Sequence, residues 1–333
     1  MKEYYIENLA KELDFIDFFM VKSIQCRKDK NGKDYYDILF GDKTGEMSGK
    51  KWNVQENEIA LLSAIKEHDI VKVKAQVTDF NGQLQMHILK IRQAQESDEI
   101  CRDDYIKTAP RDSAHMLQEI EDKVESFMDP DYKKLCKAII DQNREKLIYY
   151  PAAQKNHHSY YGGLLYHVTT MLKGAEAFCK IYDLNRDLLI TGIILHDMEK
   201  INEMDAGTDG IATAYSFRGQ MLGHLMQGII NIDEISKELG IPEEKYIMVE
   251  HMVLSHHYEP EFGSPKKPLF PEAEICHYLD VIDARMYDMS NALATTEPGE
   301  FSDKVWTLDN RKIYKRTDYV NAQQNHESEE EKE

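Results

Sequence analysis

The sequence predicts a chain of two parts, one β and one α: an N-terminal five-stranded β-barrel followed by an all-helical bundle. Three observations predict it. The first ninety or so residues alternate with a strand period and are broken at Asn-Gly turns. From Asp112 to about residue 290 the apolar residues recur at helical spacing, with Pro and Gly gathered at segment ends. Between the two patterns lies a polar stretch, residues 96–112.

Taken in order, residues 1–14 have the look of a short amphipathic helix. Phe18 to Ile24 reads as the first strand, Lys30-Asn31-Gly32-Lys33 as a turn, and Tyr35 to Phe40 as the second strand. Gly41 to Gly45 turns again, Glu46 to Val54 is the third strand, and Ala60 to Glu67 a short helix. Ile70 to Val77 alternates strictly, and Asn81-Gly82 turns it into Leu84 to Ile91. Five strands with one helix before the fourth fit a small Greek-key barrel of the OB type. Such barrels stack bases on exposed aromatics and follow the backbone with cations. Lys33, Tyr35, Tyr36, Trp52 and Phe80 are therefore candidate contacts to single-stranded nucleic acid, although alternation turns about half of such aromatics into the barrel core. The domain boundaries expected are 1–95 for the barrel, 96–112 for a linker, and 113–316 for the helical part. Asp112 is the N-cap of its first helix, and a small β-like hairpin within 296–316 closes it. Residues 317–333 form an acidic tail expected to be disordered.

The composition is that of an ordinary globular protein. Five scattered cysteines without a CxxC pair read as reduced thiols. The longest greasy run, Leu188 to Leu195, is far short of the roughly 18 residues that span a bilayer, and Met1 to Tyr5 lacks the features of a signal peptide. A soluble cytoplasmic protein with no membrane partner is the expectation. Residues 1–95 are charge-balanced, so residues 96–333 carry the whole net charge of −19. An acidic surface repels nucleic acid unless something local offsets it, and bound divalent cations are one such offset.

Nine of the thirteen histidines fall between residues 157 and 277. A lone histidine on a helix is more often a packing residue than a ligand, but order and context argue otherwise in this chain. His167 follows Gly162-Gly163 and begins an apolar helix, and His196-Asp197 ends the most hydrophobic helix of the chain. His224 follows Gly219 and Gly223, His256-His257 ends another apolar helix, and Asp280 lies on a helix from Glu274 to Met289. A charged dyad at the end of so apolar a helix is costly to bury unless a metal or partner compensates it. His167, His196, His224 and His256 are each separated by about thirty residues, the length of a helical hairpin, so they can converge at one end of a bundle. Imidazole and carboxylate without thiolate suit Mn or Fe, and less often Mg.

The ordered set His167, His196-Asp197 and Asp280 resembles the HD-domain phosphohydrolase superfamily, and His224 with His256 resembles its two-metal branch. More narrowly, the chain resembles the YhaM-type 3′→5′ exoribonucleases. Asp17 to Ser23, Asp42 to Glu46, Asp69 to Lys74, Pro151 to His158, Gly162 to His167, Leu254 to His257 and Glu297 to Ser302 carry that likeness. One departure is Glu199, where the family usually has glycine.

The resemblance implies an exoribonuclease that hydrolyses single-stranded RNA from its 3′ end to nucleoside 5′-monophosphates, with a hydroxide bridging two metals as nucleophile. Single-stranded DNA stays open as a second substrate, and a homo-oligomer stays open as the assembly. Two divalent ions are implied, Mn or Fe by preference, with Co and Mg as alternatives. His167, His196, Asp197 and Asp280 would hold one, and Asp197 would bridge to the other with His224 and His256. His257 would be a further ligand, a phosphate contact or a plain helix-end histidine. Asp197 and Lys200 are the candidate catalytic residues, Lys200 neutralising phosphate oxygens. Lys155, His157 and His158 would touch the terminal nucleotide, and Arg285 would do likewise or form a structural ion pair. Asp283 would stand behind the ligands, and His251 and His277 would pack. Two other readings remain: a phosphohydrolase of nucleotides or cyclic dinucleotides, since fold does not fix substrate, and a non-catalytic nucleic-acid-binding protein whose histidines are structural.

Overall fold

A computed structural model describes residues 2–30, 32–80, 82–95, 97–154 and 157–319. The chain divides into two compact units, Met1–Thr108 and Ala109–Glu333.

The first unit is built on β1 (Asp14–Lys28), β2 (Asp34–Asp42), β3 (Gly45–Lys51), helix α1 (Glu56–Ala64), β4 (Ile70–Phe80) and β5 (Gln83–Gln93). The strands close a barrel in the order β1-β2-β3-β5-β4, β4 returning to β1, with only β3 and β5 parallel among these pairings. This is the OB arrangement. Strand alternation fills its interior: Val71, Val73, Ala75 and Val77 of β4 point inward to meet Phe19, Ile38, Phe40 and Met86. Gly49 leaves room for this core, because a Cβ there would sit 2.5 Å from the Phe40 ring.

The described residues before β1 depart from the helical expectation, with a 3-10 turn at Ile6–Asn8 in place of an α-helix. Their amide donors are taken by the barrel. Asp17 accepts from Glu3 and Tyr4, Asp42 accepts from Ile6, and the buried Lys2 ammonium reaches Asp42 and the Phe18 carbonyl. Helix α1 begins earlier than its sequence pattern predicts, because Gln55 and Glu58 form a capping box. The polar stretch after β5 is tied to the barrel through a bidentate Arg92–Asp98 pair and through Asp104, which binds Tyr5 and Lys43.

The second unit contains α2 (Ser113–Glu125), α3 (Pro130–Leu147), α4 (Gly163–Cys179), α5 (Arg186–Leu195), α6 (Lys200–Glu203), β6 (Met204–Ala206), β7 (Ala212–Tyr215), α7 (Phe217–Leu239), α8 (Glu243–Ser255), α9 (Pro271–Ala294), β8 (Phe301–Val305) and β9 (Arg311–Tyr314). Asp112 caps α2 as its position predicts, accepting from the His115 amide. Helix α5 is buried from Asp187 to Leu195 and forms the axis on which α3, α4, α8 and α9 pack. Its greasy sequence is therefore that of a central helix. The run of helices is interrupted by the β6–β7 hairpin, which pure helical periodicity misses: Gly207 and Gly210 turn it, and β-branched Ile211 and Thr213 favour its return strand. Strands β8 and β9 form the hairpin expected near the C-terminal end. On α8 the half-buried Glu250 has Oε1 inaccessible and without a hydrogen-bond partner. Burial, and then the neighbouring Asp233 charge, push its carboxyl up to about 7. Residues 320–333, where a disordered tail is expected, lie outside the described residues. No described helix is long and apolar enough to cross a membrane.

Candidate metal centre

The site sits where several helices of the second unit end or begin. His196 and His256 are the C-caps of α5 and α8, and each donates its Nδ1–H to a carbonyl of its own last turn, Ile193 O at 2.8 Å and Val253 O at 2.9 Å. His167 and His224 lie within α4 and α7 and donate instead to carboxylates: Nδ1 of His167 to Asp283 at 2.7 Å and Nδ1 of His224 to Glu203 at 3.0 Å. His257 donates to the Phe262 carbonyl at 2.7 Å. A neutral ring whose Nδ1–H is given to an acceptor turns a bare lone pair out on Nε2, and Nε2 is the free edge that each of the five rings presents to the centre.

These lone pairs converge on Asp197, whose two oxygens face two groups. Oδ2 lies 3.3 Å from Nε2 of His196, 3.7 Å from Nε2 of His167 and 2.6 Å from the Lys200 ammonium. Oδ1 lies 3.3 Å from Nε2 of His224 and 3.7 Å from Nε2 of His256. Asp280 closes the first group 3.4 Å from His167, and its carboxylate also joins the donor atoms of His196 and His256. His257 joins Asp197, His224 and His256. All seven residues expected as ligands are thus brought together.

Asp197 Oδ1 and the Nε2 atoms of His224 and His256 are buried and have no hydrogen-bond partner, and the Nε2 atoms of His167 and His196 face each other at 3.3 Å. Acceptors set against acceptors in a buried site repel unless a cation lies among them. Nitrogen and carboxylate donors without sulfur fit a divalent first-row metal.

The charges agree. Burial opposes ionisation of Asp197, yet Lys200, His196 and His224 hold its carboxyl well below the usual range. Burial likewise opposes ionisation of Asp280, and His167, His196 and His256 hold it far down. Burial would depress His167, but its bonds to Asp280 and Asp283 raise it to about 10, so a cation bound at Nε2 would displace a proton from this ring. Lys200 is raised against burial by Asp197. Burial opposes the charge on Glu203, and its bond to His224 keeps it ionised.

Not every expected substrate contact is available. His158 is 2% exposed and both its ring nitrogens are engaged, Nδ1 with the Tyr160 hydroxyl and Nε2 with Asp283, each at 2.7 Å. It has no atom left for a phosphate and stands behind His167 instead. Arg285 is drawn to Asp309 at 2.6 Å in a surface ion pair beside the C-terminal hairpin, rather than to the site. His157 is close to the centre, its ring 6.0 Å from that of His167, and burial followed by the charges of Lys200 and His167 pushes it down to about 4. Lys155 lies outside the described residues. In the barrel, Tyr36 turns into the core, 8% exposed, with its hydroxyl near Ser63. Its neighbour Tyr35 faces out and stacks on Trp52 at 4.3 Å, while Phe80 is 62% exposed and Lys33 is exposed.

Asp283 stands behind His167, and His277 packs by donating to the His256 carbonyl. His251 accepts from the Leu269 amide. Glu199 has φ −78°, so its turn does not require glycine, and its carboxylate accepts from Asn202 and Asn231 while Lys200 still reaches Asp197. Sequence reasoning missed Glu203 and Tyr160. The available signal for Glu203 was weak, an acid at the end of α6 some way ahead of Gly219 and Gly223, the glycines that precede His224.

Residues 164–285 match the HD domain family. The chain is similar to the 3′-5′ exoribonuclease YhaM of Geobacillus sp. (strain WCH70), 36% identical over 299 residues, 90% of each chain. The chain belongs to the YhaM exoribonuclease family. The YhaM protein of Bacillus subtilis (strain 168) is 32% identical over 317 residues, 95% of this chain and 98% of the relative. Among solved structures, the chain is similar to the second OB-fold domain of replication protein A from Methanococcus maripaludis, with 22% identity and a TM-score of 0.23 over 29% of this chain and 98% of that one.

Proposed function

We propose that the chain is a metal-dependent 3′→5′ exoribonuclease that shortens single-stranded RNA and releases nucleoside 5′-monophosphates. The observation that carries this reading is the set of buried, partnerless acceptors around Asp197 in a YhaM-family chain. His167, His196, Asp197 and Asp280 are the donors for one divalent ion, Mn or Fe by preference. Asp197, His224, His256 and His257 are the donors for a second. Two such ions, when bound, lower the pKa of water and clamp the attacking and leaving oxygens of an in-line displacement.

The protein's own groups do the rest. Asp197 offers one oxygen to each ligand set and keeps the sets in register. Lys200, ionised and held by Asp197, supplies the fixed positive charge that favours a phosphodiester in an otherwise acidic unit. His157 stays uncharged at neutral pH and offers a hydrogen-bonding edge to the terminal nucleotide. In the barrel, the Tyr35–Trp52 stack, Phe80 and Lys33 form the surface for unstacked bases and backbone. The barrel's balanced charge makes the electrostatic part of that grip weak. A 5′-labelled single-stranded DNA incubated with Mn²⁺ tests whether DNA is a second substrate.

The test is 5′-labelled RNA incubated with Mn²⁺. A ladder shortening from the 3′ end and stopped by chelator is expected. Mononucleotides hydrolysed much faster than any oligonucleotide would overturn the reading in favour of a small-molecule phosphohydrolase.

A further inference from the structure

His224 has a problem that His196 and His256 lack. His196 and His256 sit at helix ends, where a carbonyl of the preceding turn is free to take Nδ1–H. His224 lies inside α7, where carbonyls are engaged by the helix itself. The chain breaks the helix immediately before it. Gly223 has φ 66° and ψ 169°, a conformation essentially confined to glycine, and the segment from His224 onward restarts as a helix. The break leaves the His224 amide in a first turn, and one oxygen of Glu203 takes it: Oε1 accepts the His224 backbone N–H at 3.0 Å and the His224 ring Nδ1–H at 3.0 Å. A carboxylate at a restarted helix N-terminus also meets the favourable end of the dipole.

Glu203 cannot drift from this position. Its carbonyl accepts from the Ser216 amide at 2.9 Å, and a Cβ on Gly219 would lie 2.0 Å from that same carbonyl oxygen, so α7 lies directly against the backbone of Glu203. A Cβ on Gly223 would stand 3.6 Å from Glu203 Oε1, an ordinary contact, so Gly223 is required for its conformation and not for space.

We propose that Glu203 is the positioning residue for His224, fixing its ring and tautomer through the Gly223 break and so setting the ion affinity of the Asp197 Oδ1 half of the centre. This rests on the metal-dependent reading above. Glu203 touches neither substrate nor the reacting atoms; it acts through His224. Outer hydrogen-bond partners of ligating histidines change metal affinity by about 10–100-fold.

The test is Mn²⁺ binding to the metal-stripped full chain, by competition with a chelating indicator and by the electron spin resonance of the bound ion. The wild type is expected to take two ions. Glu203→Ala is expected to lower the affinity of one binding step by about 10–100-fold and to leave the other within about twofold. Glu203→Gln keeps an acceptor without the charge, and its affinity at the same step should fall between the two. If Glu203→Ala does not fold, Glu203→Gln carries the test, with a loss of about 3–10-fold confined to one step. Two steps unchanged, or both weakened equally, in a folded variant would overturn the role of Glu203. A wild type that takes no ion would overturn the metal-dependent reading itself, and the role of Glu203 with it.

Discussion

The entrances of α4 and α7 each deliver a histidine to the centre, and the first turn of each carries a glycine pressed against another segment's backbone. A Cβ on Gly163 would lie 1.9 Å from the His158 carbonyl oxygen, and one on Gly219 would lie 2.0 Å from that of Glu203. In both places the gripped residue turns its side chain back toward the histidine a turn or so along. Beyond that the two differ. On the α4 side the gripped residue acts indirectly and the support is shared: His158 and His167 both donate to Asp283 of α9, and Tyr160 and the Tyr287 ring stand behind His158. On the α7 side it is direct, one carboxylate reaching across one helix break. A support spread over several buried elements is bound up with the fold, whereas one resting on a single side chain can be altered while the fold survives.

The largest expected effect removes what the two sides share. Asp197→Asn should lower RNA cleavage at least about a thousandfold while leaving RNA binding largely intact. Cleavage near the wild-type rate in single-turnover assays would break the comparison at its centre. Next come the glycines. Gly163→Ala and Gly219→Ala both force a methyl group onto a carbonyl oxygen, and each should destabilise the second unit by about 1–3 kcal/mol in denaturant unfolding. A neutral result at either would mean that the entrance is not clamped. Asp283→Asn should both weaken one Mn²⁺ binding step by about tenfold and lower the melting temperature, because Asp283 supports two buried histidines. Melting unchanged together with normal affinity would erase the contrast with α7.

The smallest effect is on pH dependence and belongs to the α7–α8 side alone. The Glu250 carboxyl sits above its ordinary value of 4.5, at about 7, so the folded state binds its proton more readily than the unfolded state. Its contribution is therefore present below about 4.5 and is lost as pH rises through about 7. Glu250→Gln should flatten the dependence of melting temperature on pH across that window, and an unchanged slope would count against it.

The barrel was legible in the sequence because its signals are local: strand alternation, Asn-Gly turns and one intervening helix. The clustering of the candidate ligand side chains was legible because histidines and acids stand out at helix ends and at regular separations, and because the likeness to a family ordered them. What escaped were features decided by tertiary contact. Tyr36 and Tyr35 differ only in which face of a strand they occupy, and the sequence did not say which. His158 sits in a motif stretch, but its burial depends on Tyr160 and on Asp283 from a distant helix. Glu203 became important through a glycine conformation twenty residues away. The N-terminal segment looked helical until the carboxylates of Asp17 and Asp42 claimed its amides.

The donors around Asp197 come from α4, α5, α7, α8 and α9, segments that an unfolded chain scatters widely. Each ion would therefore fasten remote stretches of the polypeptide, as a removable cross-link does, and occupancy and folding become one equilibrium. The temperature at which the second unit melts should climb steadily with the logarithm of free ion concentration, making its heat resistance a gauge of the mineral supply around it.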